Sequence, residues 1–305
     1  MMGLVKKVLI ADTVSGFAEP VFEHGGVQDF GLFESWLAVC AATIGIYFDF
    51  SGYSDMAIGL GRMFGIKLPY NFNSPYKARS IIDFWRRWHI TLSRFLRDYV
   101  YIPLGGNRQG EARRVSNLML TMLLGGLWHG AGWTFVVWGG LHGFYLLVNH
   151  LWQVFRSHLA ARGVNVAVPV FAARILTMAA VMLAWVFFYA TSFDQAAEVL
   201  QGMIGLNGQE TLFTGPIAER LAEGGTTGRD TVIDLLILAL GLCVALFLPN
   251  TQEVIDGKFG TTSTNRIVSL LSWRPNGAWA AVTVLIVVFV LTRMSDVKEF
   301  VYFQF

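Results

Sequence analysis

Charge is scarce in this chain of 305 residues: Lys and Arg number 23 and Asp and Glu 21, together 14% of the whole. Soluble domains carry about a quarter charged residues. A nucleic-acid-binding domain needs a basic excess, and the net charge is only +2. Disorder needs few apolar residues, and here they make up 54%. Cysteine is nearly absent. Cys40 and Cys243 both lie in apolar runs, where a thiol packs as a small hydrophobe, so neither a disulfide nor a redox role is expected. The signatures HExxH, CxxC, P-loop and G-x-S-x-G are missing, which removes support for zincin, ATPase and hydrolase readings. Residues 1–12 run straight into Asp12 without the pattern of a cleaved signal peptide.

What is present is length without charge. The stretches 35–48, 115–155, 175–193, 235–252 and 275–292 contain no Asp, Glu, Lys or Arg. A bilayer core takes about 20 apolar residues per helix. Four of these stretches suit single spans, two of them with a few flanking residues added, and 115–155 is long enough for two legs. They lack the alternation of a barrel strand, so helices are the expected spanning structure. The chain is expected to be all-α, a polytopic transmembrane helical bundle.

The remaining charges orient it. Residues 17–31 hold Glu19, Glu23 and Asp29 without a basic partner, and 194–230 is mainly acidic, so both read as outside. Segment 62–114 holds eleven Lys and Arg, from Arg62 to Arg114, and reads as cytoplasmic, as does 156–174 with Arg156, Arg162 and Arg174. The last span then leaves the C-terminus outside. If 114 and 156 are both inside, 115–155 enters the membrane and returns. Its first leg, about 117–128, covers ~18 Å, roughly half the bilayer. The glycines of GGLWHGAG (125–132) make a helix break plausible there and place His129 near the midplane, at the tip of a re-entrant hairpin. On the return leg Trp138, His142, Tyr145 and Asn149 form one polar-aromatic stripe suited to a bundle interior. Within 80–99, Ile81, Phe84, Trp88, Leu92, Phe95 and Tyr99 follow helical spacing opposite Arg79, Arg86, Arg87, Arg94 and Arg97. That predicts an amphipathic helix at the cytoplasmic interface, with a weaker one at 193–204.

An ionisable residue inside the membrane is a functional candidate by default. His129 fits best: it reads as a general base acting on a hydroxyl or thiol near neutral pH, or as a packing histidine bonded to a carbonyl. His89, in FWRRWH (84–89), is the second candidate, and an interfacial histidine on a basic face is its plain alternative. His142 reads as a packed, hydrogen-bonded member of its stripe. His24, His150 and His158 receive no role. The spacings of 40, 13, 8 and 8 from His89 to His158, without an accompanying carboxylate, speak against a catalytic metal. The basic segment suits anionic lipid headgroups and equally an anionic donor such as a coenzyme A nucleotide, whose phosphates Arg binds with a bidentate fork.

Three long blocks carry a resemblance. YFDFSGYSDMAIGLGRMFGIKLPYNFNSPY (47–76), FWRRWHITLSRFLRDYVYIPLGGNR (84–108) and MLLGGLWHGAGWTFVVWGGLHG (122–143), with GLVKKVLIAD (3–12) and EFVYFQF (299–305), resemble the membrane-bound O-acyltransferase family, nearest its bacterial alginate O-acetyltransferase branch. The resemblance covers essentially the whole chain. It implies one transmembrane domain over 1–305, corresponding to the C-terminal portion of a longer family architecture whose further helices precede GLVKKVLIAD. It implies that His129 of the WHG motif is catalytic and that His89 is a second functional histidine. It implies a tunnel shaped by Trp85, Arg86, Trp128 and His142, entered by a cytoplasmic acyl donor at one end and a periplasmic acceptor at the other. The expected donor is acetyl-CoA or another acetyl thioester, with no bound cofactor. The expected setting is multi-pass in a bacterial inner membrane, among lipids, periplasmic acetyltransferase partners and polysaccharide export machinery. The expected product is an O-acetylated exported polysaccharide, alginate first. The rivals are D-alanyl transfer to teichoic acid from a carrier protein, a transporter, and a non-catalytic subunit.

Overall fold

The computed structural model describes residues 1–22, 30–207, 225–256 and 271–292, with side chains from 231 onward in the third of these ranges. Among the described residues the chain is all-α. His24, EFVYFQF (299–305), residues 23–29 of the acidic stretch 17–31 and residues 208–224 of 194–230 lie outside them. The chain divides into two compact units, residues 1–74 with 197–305, and residues 75–196.

The first unit opens on a helical run: α1 (Met2–Leu4), a π-type segment (Val5–Ala11) and α2 (Asp12–Phe22). This run packs on α3 (Leu32–Met63). At 1.5 Å per residue, 32 residues give α3 about 48 Å, more than the ~30 Å of a hydrocarbon core. The close approach comes from glycines: a Cβ on Gly3 would lie 2.4 Å from the Gly52 carbonyl oxygen. That crossing brings together three charged side chains of the first run and two of α3. Lys6 Nζ meets Asp55 at 2.7 Å, and Lys7 Nζ meets both Asp12 and Asp49 at 2.8 Å. Lys7 and Asp49 are buried. α10 (Gly225–Phe247) packs on α2 and α3, and α11 (Thr251–Asp256) sends Gln252 to Asp55 at 2.7 Å. Asp256 accepts from Arg62 and Tyr70, and Asn250 donates to Ser74 Oγ at 3.0 Å. α12 (Gly277–Thr292) is apolar throughout.

The second unit holds α4 (Ile81–Trp85), α5 (Ile90–Leu96), α6 (Gly110–His129), α7 (Trp133–Ala161) and α8 (Val170–Tyr189); α9 (Phe193–Met203) follows. α6 and α7 form an antiparallel hairpin, and α8 packs on α7. The helix break expected within GGLWHGAG (125–132) falls at its end, beyond Gly125 and Gly126. α6 continues through both to His129, because these glycines serve contact: a Cβ on Gly126 would sit 2.2 Å from the Phe135 carbonyl oxygen, and one on Gly139 2.3 Å from that of Met122. The turn is confined to 130–132.

Segment 80–99 also differs from a single helix. Ser80 caps α4 by accepting the Asp83 N–H at 3.1 Å, the helix ends at Trp85, and α5 restarts at Ile90. The inward set is therefore Ile81, Phe84, Trp88, Leu92 and Leu96, whereas Phe95 and Tyr99 are exposed. A following π-type segment (Arg97–Tyr101) carries Asp98, whose carboxyl a hydrogen bond from Arg97 holds below the usual range.

Two helices, α3 and α8, are long and apolar enough to cross a membrane; Thr231–Phe247 and Gly277–Thr292 are shorter apolar helices. The chain is a membrane-associated helical protein.

Candidate functional site

The site lies within the second unit and is built from the end of α6, the α4–α5 junction, and facing turns of α7 and α8. His129 is the last residue of α6. The chain leaves it through Gly130, where a Cβ would stand 2.4 Å from the Phe135 ring, so only glycine fits. The His129 imidazole is walled by aromatic rings: Trp128 at 4.9 Å, Trp138 at 5.1 Å and 87°, Phe188 at 5.3 Å and 74°. These are contact separations for perpendicular rings.

His89 stands at the α4–α5 junction in the left-handed region, φ 40° and ψ 57°. A non-glycine residue there costs of order 1–3 kcal/mol and persists only when its surroundings impose it. Its neighbour does so. Trp88 is 1% exposed and is locked against Phe84 (5.7 Å), Tyr76 (6.1 Å) and Trp185 (5.0 Å). His89 serves as the N-cap of α5, its Nδ1 accepting the Leu92 N–H at 3.4 Å. An imidazole that accepts at Nδ1 and is neutral carries its proton on Nε2. Burial pushes the His89 imidazole down to about 4, so it is neutral at physiological pH. Its ring faces Trp128 at 6.2 Å, so Trp128 touches both histidines.

Residues suggested by the sequence separate here. His129, His89 and Trp128 converge. Trp85 meets Trp138 at 5.9 Å and His142 at 5.1 Å. His142 is fully enclosed and stacks on Phe84 at 5.9 Å and 6° with Trp138 4.9 Å away. It is packed as expected, but neither ring nitrogen has a hydrogen-bond partner among the described residues; aromatic faces surround it instead, to which an N–H donates weakly. Arg86 is exposed and takes no part in these ring contacts. The stripe on α7 does receive α4: Asn149 Oδ1 accepts the Ile82 N–H at 3.3 Å. Among the described residues no group of three or more His, Cys, Asp or Glu gathers to hold a metal.

Sequence reasoning missed two parts of this arrangement. Phe188, at the end of an apolar run, showed no signal beyond being aromatic. The Lys7–Asp12–Asp49 cluster of the first unit did show one: Asp49 interrupts an apolar helix, and such a residue asks for a partner.

The family model for the membrane-bound O-acyltransferase family matches residues 2–193. The "Peptidoglycan O-acetyltransferase" of Helicobacter pylori is 52% identical over 207 residues, 68% of this chain and 38% of that protein. The "Probable alginate O-acetylase AlgI" of Azotobacter vinelandii is 47% identical over 203 residues, 67% of this chain and 38% of that protein. The "Teichoic acid D-alanyltransferase" of Streptococcus thermophilus is 30% identical over 161 residues, 50% of this chain and 39% of that protein. The chain thus spans under two fifths of each relative's length. With the match running through both histidine-bearing segments, the chain belongs to the membrane-bound O-acyltransferase family.

Proposed function

We propose that this chain carries the reacting centre of a membrane O-acyltransferase that moves an acetyl group from a thioester donor to a hydroxyl of an envelope glycan. His129 is the general base. It takes the proton of the attacking hydroxyl as the new C–O bond forms at the thioester carbonyl. The tetrahedral oxyanion collapses, the C–S bond breaks, and the leaving thiolate takes the proton back from His129. His89 donates through Nε2–H to the carbonyl oxygen, stabilising the negative charge that develops there. Acceptor at Nδ1 and donor at Nε2, His89 is unsuited to be the base, so the two histidines divide the work.

The observation that carries this reading is the convergence of His129 and His89 on one residue, Trp128. Trp85 and His142 support Trp138 behind His129, and Trp128 borders the approach. Arg86, outside the ring cluster, contributes to the basic segment 62–114, which attracts the phosphates of a donor such as acetyl-CoA from the cytoplasmic side. The full set of spans, the re-entrant course of 115–155 and the inner-membrane setting belong to the same proposal, as do hand-over to periplasmic acetyltransferase partners and coupling to glycan export.

Alginate and peptidoglycan are both named among the relatives, and both present hydroxyls of the required kind. Membranes containing this chain, supplied with labelled acetyl-CoA and either alginate oligosaccharides or peptidoglycan fragments, should esterify one of them in a His129-dependent manner. Transfer instead from a D-alanyl carrier protein, with none from acetyl-CoA, would replace acetyl by D-alanyl transfer.

A further inference from the structure

The wall behind His129 has a consequence for which acyl groups can react. Phe188 is fully buried and Trp138 is 1% exposed. Phe188 contacts His129 at 5.3 Å, Trp138 at 5.3 Å, Phe135 at 5.2 Å and Trp185 at 5.2 Å. Four tilted or perpendicular rings at such separations touch edge to face, and no methylene chain passes between them. Trp128 differs: it is 59% exposed, so the approach to the two histidines lies on its side.

The reacting carbon has four directions to fill in the tetrahedral intermediate. On the mechanism proposed above its oxygen is directed to Nε2–H of His89, the attacking oxygen to His129, and the sulfur with the donor's tail to the open side by Trp128. The acyl substituent takes the fourth direction, towards Phe188 and Trp138.

From this we infer that Phe188, backed by Trp138, is the specificity-determining residue that limits the transferred group to two carbons. The inference rests on the acyltransferase reading above. The bonds formed and broken are unchanged; only the space for the acyl chain is at issue. One methylene in a tight apolar pocket is worth about 10–200-fold in discrimination. Substituting Phe188 by alanine removes the ring and opens room for several methylenes.

The test uses membranes bearing the complete chain, the coenzyme A thioesters of acetyl, propionyl, butyryl and hexanoyl groups, and alginate oligosaccharides or peptidoglycan fragments as acceptor. Glycan-dependent thiol release and glycan ester are both read. The wild-type chain is expected to prefer acetyl over butyryl by about tenfold or more, and Phe188→Ala to raise the butyryl-to-acetyl ratio by about tenfold or more. Should Phe188→Ala fail to insert, Phe188→Leu is read by its propionyl-to-acetyl ratio, which is expected to rise. A wild-type chain that transfers butyryl as readily as acetyl overturns the gate alone, as does an inserted Phe188 variant with the wild-type ratio. A wild-type chain that transfers no acyl group from any of the four donors to either glycan overturns the reading of acetyl transfer from a coenzyme A thioester and the gate with it.

Discussion

The imidazole of His129 meets the ring of Trp138 at 5.1 Å and 87°, an edge-to-face contact across the α6–α7 turn. The last residue of one helix is thus oriented by the second turn of the next. The base role proposed for His129 needs a fixed direction, and an apolar ring supplies it.

His89 caps α5 and is the proposed oxyanion donor, and the two roles come apart on substitution. Asn is a good N-cap and tolerates the left-handed region. His89→Asn should keep thermal stability in detergent close to wild type while lowering acyl transfer by about 10²–10³-fold, the loss typical of one oxyanion donor. His89→Ala should lose stability as well, by about 1 kcal/mol for the missing cap. Full transfer by the Asn variant would reduce His89 to a cap.

The same residue gives a pH signature. With the folded value near 4 against 6.5 for an unperturbed histidine, the unfolded chain binds the proton first. Stability from this group is therefore present above pH 6.5 and is lost as pH falls from there towards 4. Melting temperature measured across that window should fall less steeply for His89→Asn than for wild type. Parallel curves would contradict the burial of His89.

Two glycine-to-alanine changes should act with opposite sign. Gly126→Ala pushes a methyl onto the Phe135 carbonyl, backbone that cannot give way, and should cost about 1–3 kcal/mol. Gly59, exposed on α3 with nothing within 4 Å of its built Cβ, should gain about 0.5–1 kcal/mol from helix propensity. Thermal unfolding of both in one detergent checks the pair.

Lys7 holds two buried carboxylates, so its loss should exceed that of either partner. Lys7→Met leaves Asp12 and Asp49 together without that cation and should cost about 3–5 kcal/mol. Asp49→Asn keeps the Lys7–Asp12 pair and should cost clearly less. Equal destabilisation of the two variants would argue against the shared ion cluster.

Much of this was legible in the residues. Scarcity of charge marked a helical membrane protein, and the i, i+4, i+7, i+11 stripe from Trp138 to Asn149 marked the face of α7 that receives α4. Other features were not, for physical reasons. Helical periodicity through 80–99 does not report a left-handed residue in its middle, so the break at His89 was invisible. Gly125 and Gly126 carry the same letters whether they break a helix or let another approach, and only Phe135 on α7 decides between them. The pairing of Lys7 with Asp49 joins residues far apart in sequence, where spacing rules have no reach.

The central claim is that His129 is the base for acyl transfer. Its most direct measurement is the rate of acetyl transfer from labelled acetyl-CoA to glycan by membranes carrying equal amounts of inserted wild-type chain and His129→Ala. The account predicts a loss of about 10²-fold or more, the typical contribution of general base catalysis. Transfer at the wild-type rate by the His129→Ala chain would contradict it.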